Sequence, residues 1–127
     1  MRTETKFTMK NRIKSFKYAI KGIFHAFKYE KNIWIESVCA VAIIIAGFVF
    51  KINTIEWIAI VFCIGIVFAC EIINTAIEAI VNFISPEYHK KAGLIKDLAA
   101  GAVLIVAIMS VVIATIIFVP KLILLFE

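Results

Sequence analysis

Charge is what this sequence has least of where a soluble protein needs it. Only 18% of its 127 residues are charged, residues 57–70 and 79–86 carry no charge, and the run from Leu98 to Val119 carries none either. Hydrophobic residues make up 63%, and the mean hydropathy is +1.00. A chain this short has too little interior to hide so much apolar surface from water, which argues against a soluble globular fold and leaves the bilayer as solvent. Length then allows about three spanning helices of roughly 20 residues each, in one domain. Cysteine is scarce too. Cys39, Cys63 and Cys70 sit in apolar segments without C-x-x-C spacing, and an odd count of this kind argues against both a disulfide framework and a zinc site. They read as small buried apolar residues. There is no Walker A motif, no kinase-type glycine loop, no internal repeat and no low-complexity tract. The N-terminus does not read as a signal peptide, because its long basic region is not followed by a short apolar core with a cleavage site.

What is present begins with that basic region. Residues 1–31 hold nine of the fourteen basic residues: Arg2, Lys6, Lys10, Arg12, Lys14, Lys17, Lys21, Lys28 and Lys31. Among them Met9, Ile13, Phe16, Ile20, Ile23 and Phe27 recur at alternating spacings of four and three, which predicts an amphipathic helix over 9–31. Such a helix suits the membrane interface, where anionic headgroups attract its lysines. Nucleic-acid binding is the rival reading of a net charge of +5; no nucleic-acid-binding motif accompanies the charge, and no nucleic-acid partner is expected.

Three spans follow, at 33–50, 57–84 and 98–119. The first ends at the short polar connection Lys51-Ile52-Asn53-Thr54, and the second opens at Trp57, an aromatic of the kind that marks a membrane interface. The second is longer than one crossing needs. The stretch from Ser85 to Gly93 forms the only substantial polar loop, and Pro120-Lys121 closes the third span. The basic N-terminal arm and Lys90, Lys91 and Lys96 face Lys51 and Lys121 across the membrane. The positive-inside rule therefore predicts a cytoplasmic N-terminus and 85–97 loop, with the C-terminus outside.

The second span carries E-I-I-N-T-A-I-E at residues 71–78. On a helix, Glu71, Asn74 and Glu78 fall within roughly 60° of one another, with Glu78 about 10 Å along the axis from Glu71. Carboxylates at membrane depth are costly and mark functional positions by default. Counted from Trp57, Glu71 lies about 21 Å inward and Glu78 about 31 Å, against a hydrocarbon core of roughly 30 Å. A lipid hydroxyl could reach the first, and water-borne phosphates and a metal the second.

With E-Y-H at 87–89 and K-D-L-A-A-G-A-V at 96–103, this pattern resembles the small bacterial membrane kinases that act on diacylglycerol or undecaprenol. The resemblance covers most of the chain, from Lys21-Gly22 through the third span. It implies a homotrimer of three-span subunits in the bacterial cell membrane, each with an N-terminal surface helix, and active sites between subunits. It also implies transfer of the ATP γ-phosphate to a lipid hydroxyl with magnesium. Glu71 matches the catalytic carboxylate, Glu30 and Glu78 the metal-holding pair, and Asn74 the polar residue on the same helix face. Tyr18, Glu87, Tyr88, His89, Lys96 and Asp97 match nucleotide-contacting positions, to which Glu30 and Glu78 also belong. Glu36 matches an acidic residue at the lipid end. Arg12 stands nearest the family's N-terminal arginine, one residue off its spacing to Gly22. Ala100 replaces a serine of the diacylglycerol-type pattern, and the A-A-G-A version with P-K-L at 120–122 is similar to the Gram-positive branch that uses undecaprenol.

Plainer readings stand beside these. Glu30, between Lys28 and Lys31, suits a solvated surface; Glu78 suits a partner for a loop lysine; Asn74 suits an interhelical hydrogen bond. His89 reads as a loop residue, Asp97 also complements a helix N-terminus, and Ala99-Ala100-Gly101-Ala102 suits close helix packing. Two functional classes fit the sequence: a lipid kinase using undecaprenol or, alternatively, diacylglycerol, and a non-catalytic membrane subunit whose carboxylates relay protons or pack.

Overall fold

The computed structural model describes residues 8–127, so Arg2 and Lys6 lie outside the described residues. Among these residues there are four helices and no strand: α1 Met9–Tyr29, α2 Lys31–Val49, α3 Thr54–Ile84 and α4 Lys90–Leu125. The last three are long and apolar enough to cross a membrane. At 31 residues, α3 is about 46 Å long, against a hydrocarbon core of about 30 Å. It is also the element against which the other three pack, with α4 its most extensive neighbour. Most large apolar side chains of α2, α3 and α4 nevertheless point outward, as they must when the surroundings are lipid or other apolar surfaces.

The helices start where side chains satisfy free backbone N–H groups. Thr8 Oγ1 accepts from Asn11 N at 3.2 Å. Asn53 and Glu56 form a reciprocal capping box, at 2.9 and 3.0 Å. His89 Nδ1 accepts from Lys91 N at 3.1 Å and so opens α4.

The α2–α3 turn is tight. Ile52 N donates to Gly47 O at 3.1 Å and Lys51 N to Phe48 O at 3.3 Å, the two bonds of a Schellman ending. Lys51 takes the left-handed position at φ 52° that glycine normally fills. At Gly47 a Cβ would stand 2.7 Å from the Trp57 ring and 3.1 Å from Ile52 Cδ1, so the missing side chain is what lets the turn close on the helix. Ile52, Ile60, Ile117 and Phe118 form the buried cluster beside it.

Pro120 does not end α4, which runs on to Leu125. Proline leaves the Ile116 carbonyl without its helical donor. Just beyond it, Lys121 Nζ donates to Ile117 O at 3.2 Å and pairs with Glu56 at 2.7 Å, tying this turn of α4 to the capping box of α3.

Lys51→Gly is expected to raise stability by about 1 kcal/mol, since glycine occupies the left-handed position without the Cβ penalty. Thermal unfolding in detergent checks it; an unchanged or lowered midpoint would show that the turn is not under conformational load.

Candidate active site

Away from that cluster, one face of α3 turns polar. Glu71 is 2% exposed and Asn74 8%, so both are withdrawn from the surroundings as lipid-depth polar groups must be. Asn74 Nδ2 donates to Glu78 Oε1 at 3.2 Å, which orients the more accessible carboxylate from within the same helix. Glu78 therefore pairs with Asn74 and not with a loop lysine. Thr75 Oγ1 donates to Glu71 O at 3.0 Å.

From α2, the carboxyl of Glu36 faces that of Glu71. Ile33, fully buried, lies about one turn before it, and the hydroxyl of the next residue, Ser37, donates to Ile33 O at 2.7 Å. Glu36 Oε2 and Asn74 Oδ1 are buried without a hydrogen-bond partner. Buried oxygens of this kind are uncommon and call for a partner, which an ordered water or a bound group can supply.

Glu36 also stands in the wall of a cavity of about 220 Å³ built from α2, α3 and α4. Ile60, Ile64, Val67 and Phe68 of α3 line it, with Cys39 and Cys63 and the Ser110 hydroxyl among otherwise apolar walls. Ile60, Ile64 and Val67 share the helix face of Glu71, Asn74 and Glu78. One stripe of α3 is thus hydrocarbon-lined over part of its length and carboxylate-bearing over the rest.

Residues 17–118 match the prokaryotic diacylglycerol kinase family. The chain is 41% identical over 109 residues to the undecaprenol kinase of Bacillus subtilis, covering 86% of this chain and 89% of that one. It is 34% identical over 113 residues to a diacylglycerol kinase of Synechocystis, covering 88% of this chain and 65% of that one. With a diacylglycerol kinase of Escherichia coli it shares 32% identity over 100 residues, 79% of this chain and 82% of the other. The chain belongs to the prokaryotic diacylglycerol kinase family. It is a multi-pass membrane lipid kinase, which sets aside the non-catalytic reading.

For a member of this family, the placement of the remaining residues matters. Glu30 is half-buried and is the single non-helical residue between α1 and α2. Tyr18 and Arg12 lie exposed on α1, and Glu87, Tyr88 and His89 are exposed before and at the start of α4. His89 caps α4. Because α4 begins at Lys90, Lys96 and Asp97 lie about two turns inside it, so a helix-end dipole does not account for Asp97. Ala100 is exposed and is not a cavity residue. One chain therefore gathers Glu36, Glu71, Asn74 and Glu78, and leaves the expected nucleotide-contacting positions on α1 and around the 85–89 loop spread over its surface. Among the described residues no three His, Cys, Asp or Glu side chains stand close enough to hold a metal by themselves. Sequence periodicity could not find the cavity, whose walls come from three helices. The recurrence of small residues at Cys39, Ala40, Cys63, Ala107 and Ser110 was the available signal.

Asn74→Ala is expected to lower kcat/KM about 10- to 100-fold, because a hydrogen bond to a charged group is worth about 1.5–3 kcal/mol. Steady-state assays with the lipid and ATP varied separately check it. A variant within twofold of wild type would remove Asn74 from the site.

Proposed function

We propose that this kinase phosphorylates undecaprenol, with Glu71 as general base. The observation that carries the reading is the continuous α3 stripe: a buried carboxylate adjoins a cavity with apolar walls, and Glu36 belongs to both. A polyprenol is a hydrocarbon chain ending in one hydroxyl, and that stripe offers it a hydrocarbon wall followed by carboxyl oxygens. The name of the Bacillus subtilis relative supports the same acceptor. Diacylglycerol is the alternative acceptor.

In the reaction, Glu71 takes the proton of the lipid hydroxyl as its oxygen attacks the γ-phosphorus of ATP; the bond to the β-phosphate oxygen breaks and ADP leaves. Glu36 holds the hydroxyl against Glu71, and Asn74 fixes Glu78. Glu30 and Glu78 would hold magnesium. Their hard anionic oxygens fit that ion, and two carboxylates suffice because magnesium keeps several waters and takes further ligands from phosphates. Once bound, the ion neutralises the phosphate charge that builds up during transfer. Tyr18, Glu87, Tyr88, His89, Lys96 and Asp97, with Arg12, contact the nucleotide.

Those positions are scattered over one chain, and three spans leave the apolar sides of α2, α3 and α4 uncovered. Both points support a homotrimer with sites completed by a neighbouring chain. In this reading α1 lies along the membrane interface, the spans are those of residues 33–50, 57–84 and 98–119, and the N-terminus is cytoplasmic with the C-terminus outside.

Glu71→Gln is expected to keep the fold and nucleotide binding while turnover falls about 10²–10⁴-fold, the usual contribution of a general base. Near-normal turnover in a folded variant would sink the assignment. Wild-type enzyme in one bilayer holding both lipids at equal mole fraction should turn over undecaprenol faster than diacylglycerol. The reverse order would make diacylglycerol the acceptor.

A further inference from the structure

α1 joins α2 through Glu30 alone, at φ −102° and ψ 116°. A one-residue joint has two soft torsions and does not by itself fix the angle between two helices. The side chains along the first part of α1, among them Ile13, Phe16, Tyr18 and Ile20, are exposed. What holds its end is a group of three aromatic residues. Phe27 stacks on Phe68 of α3, with ring centroids 5.9 Å apart and planes 24° apart. Trp34 of α2 meets Phe27 edge-on at 6.3 Å. The Trp34 indole N–H also donates to Phe27 O at 2.6 Å. Phe27 is in the last turn of α1, where carbonyls lack helical partners, so the indole both satisfies that oxygen and bridges the joint. Ala26 and Ile33, on either side of Glu30, are buried.

We propose that Phe27, Trp34 and Phe68 are positioning residues that fix Glu30 for metal and nucleotide binding. The proposal rests on the reading of Glu30 as a metal-holding carboxylate. Phe27 is three residues before Glu30 and Trp34 four residues after it, so the two sides of the joint are clamped to each other and, through Phe68, to α3. Phe68 is one turn before Glu71 on that helix and lines the acceptor cavity. The clamp thus refers the position of Glu30 to the helix that carries Glu71, Asn74 and Glu78. Groups that orient a metal ligand without touching the metal typically change affinity 10- to 100-fold when removed.

The test is direct binding. Full-length protein in lipid nanodiscs is titrated with Mn²⁺ in the presence of a non-hydrolysable ATP analogue, and free Mn²⁺ is read by electron paramagnetic resonance. Phe27→Ala is expected to weaken Mn²⁺ binding about tenfold, Phe27→Leu to remain weakened because it keeps apolar bulk without the stack, and Phe27→Trp to restore affinity to within about twofold of wild type. Wild-type affinity in folded Phe27→Ala and Phe27→Leu would overturn the proposal, as would a loss in Phe27→Ala that Phe27→Leu fully repairs, since packing alone would then suffice. Glu30→Gln separates the two levels. If it weakens binding while the Phe27 variants do not, the clamp is wrong and the metal assignment stands; if it changes nothing, the assignment of Glu30 falls and the clamp with it.

Discussion

A carboxylate withdrawn from water inside a lipid-facing protein constrains everything near it. Glu71 is almost completely buried, and an ionisable group in such surroundings must face other polar groups or a cavity. The structure answers with an acidic neighbour from α2, an amide one turn along α3, and a helix longer than one bilayer crossing that continues the same face. Each of these depends on α3 presenting Glu71 inward, towards the side where α2 and α4 pack. Were α3 rotated by half a turn, Glu71, Asn74 and Glu78 would together face the lipid.

That orientation is secured from the other end. The Schellman turn at Lys51, the missing side chain at Gly47 and the capping box of Asn53 and Glu56 lock the start of α3 to the end of α2. The Lys121–Glu56 pair then ties the far part of α4 to the same point. An isolated surface ion pair contributes little, but this one shares Glu56 with a helix cap, so that one side chain serves two structural tasks. The two ends of the molecule are built differently. One is knotted together by short-range bonds, and the other, which carries the carboxylates, is held through longer contacts such as the aromatic group at Phe27.

The face of Glu71, Asn74 and Glu78 was legible because helical periodicity alone places three polar residues together in an apolar run. So were the three apolar helices and, from the motif around residues 71–78 with those at 87–89 and 96–103, the family. What could not be read depends on neighbours distant in the chain. Periodicity within α2 says nothing about Glu36 meeting Glu71, since that needs the packing of two helices. The stack of Phe27 on Phe68 brings together residues whose local patterns are those of ordinary apolar positions. Pro120 marked an ending for the third span because proline removes a backbone donor, yet the helix continues where Lys121 finds a carbonyl and a carboxylate. Lys51 gave no sign of a left-handed backbone, because glycine is the residue that usually announces one.

The unbroken length of α3 has a mechanical meaning. A helix cannot shorten, so the separation of Glu71 from the turn at Asn53 is fixed at about 27 Å. A membrane, in contrast, varies in thickness by several ångströms with its lipids, and a spanning helix adjusts by tilting or by deforming the bilayer around it. Because the turn end is the tightly fastened one, such an adjustment would be registered at the other end, as a change in how far the carboxylates stand from the water boundary. The chain is in effect a gauge of fixed length set in a medium of variable depth, with its carboxylates at the reading end.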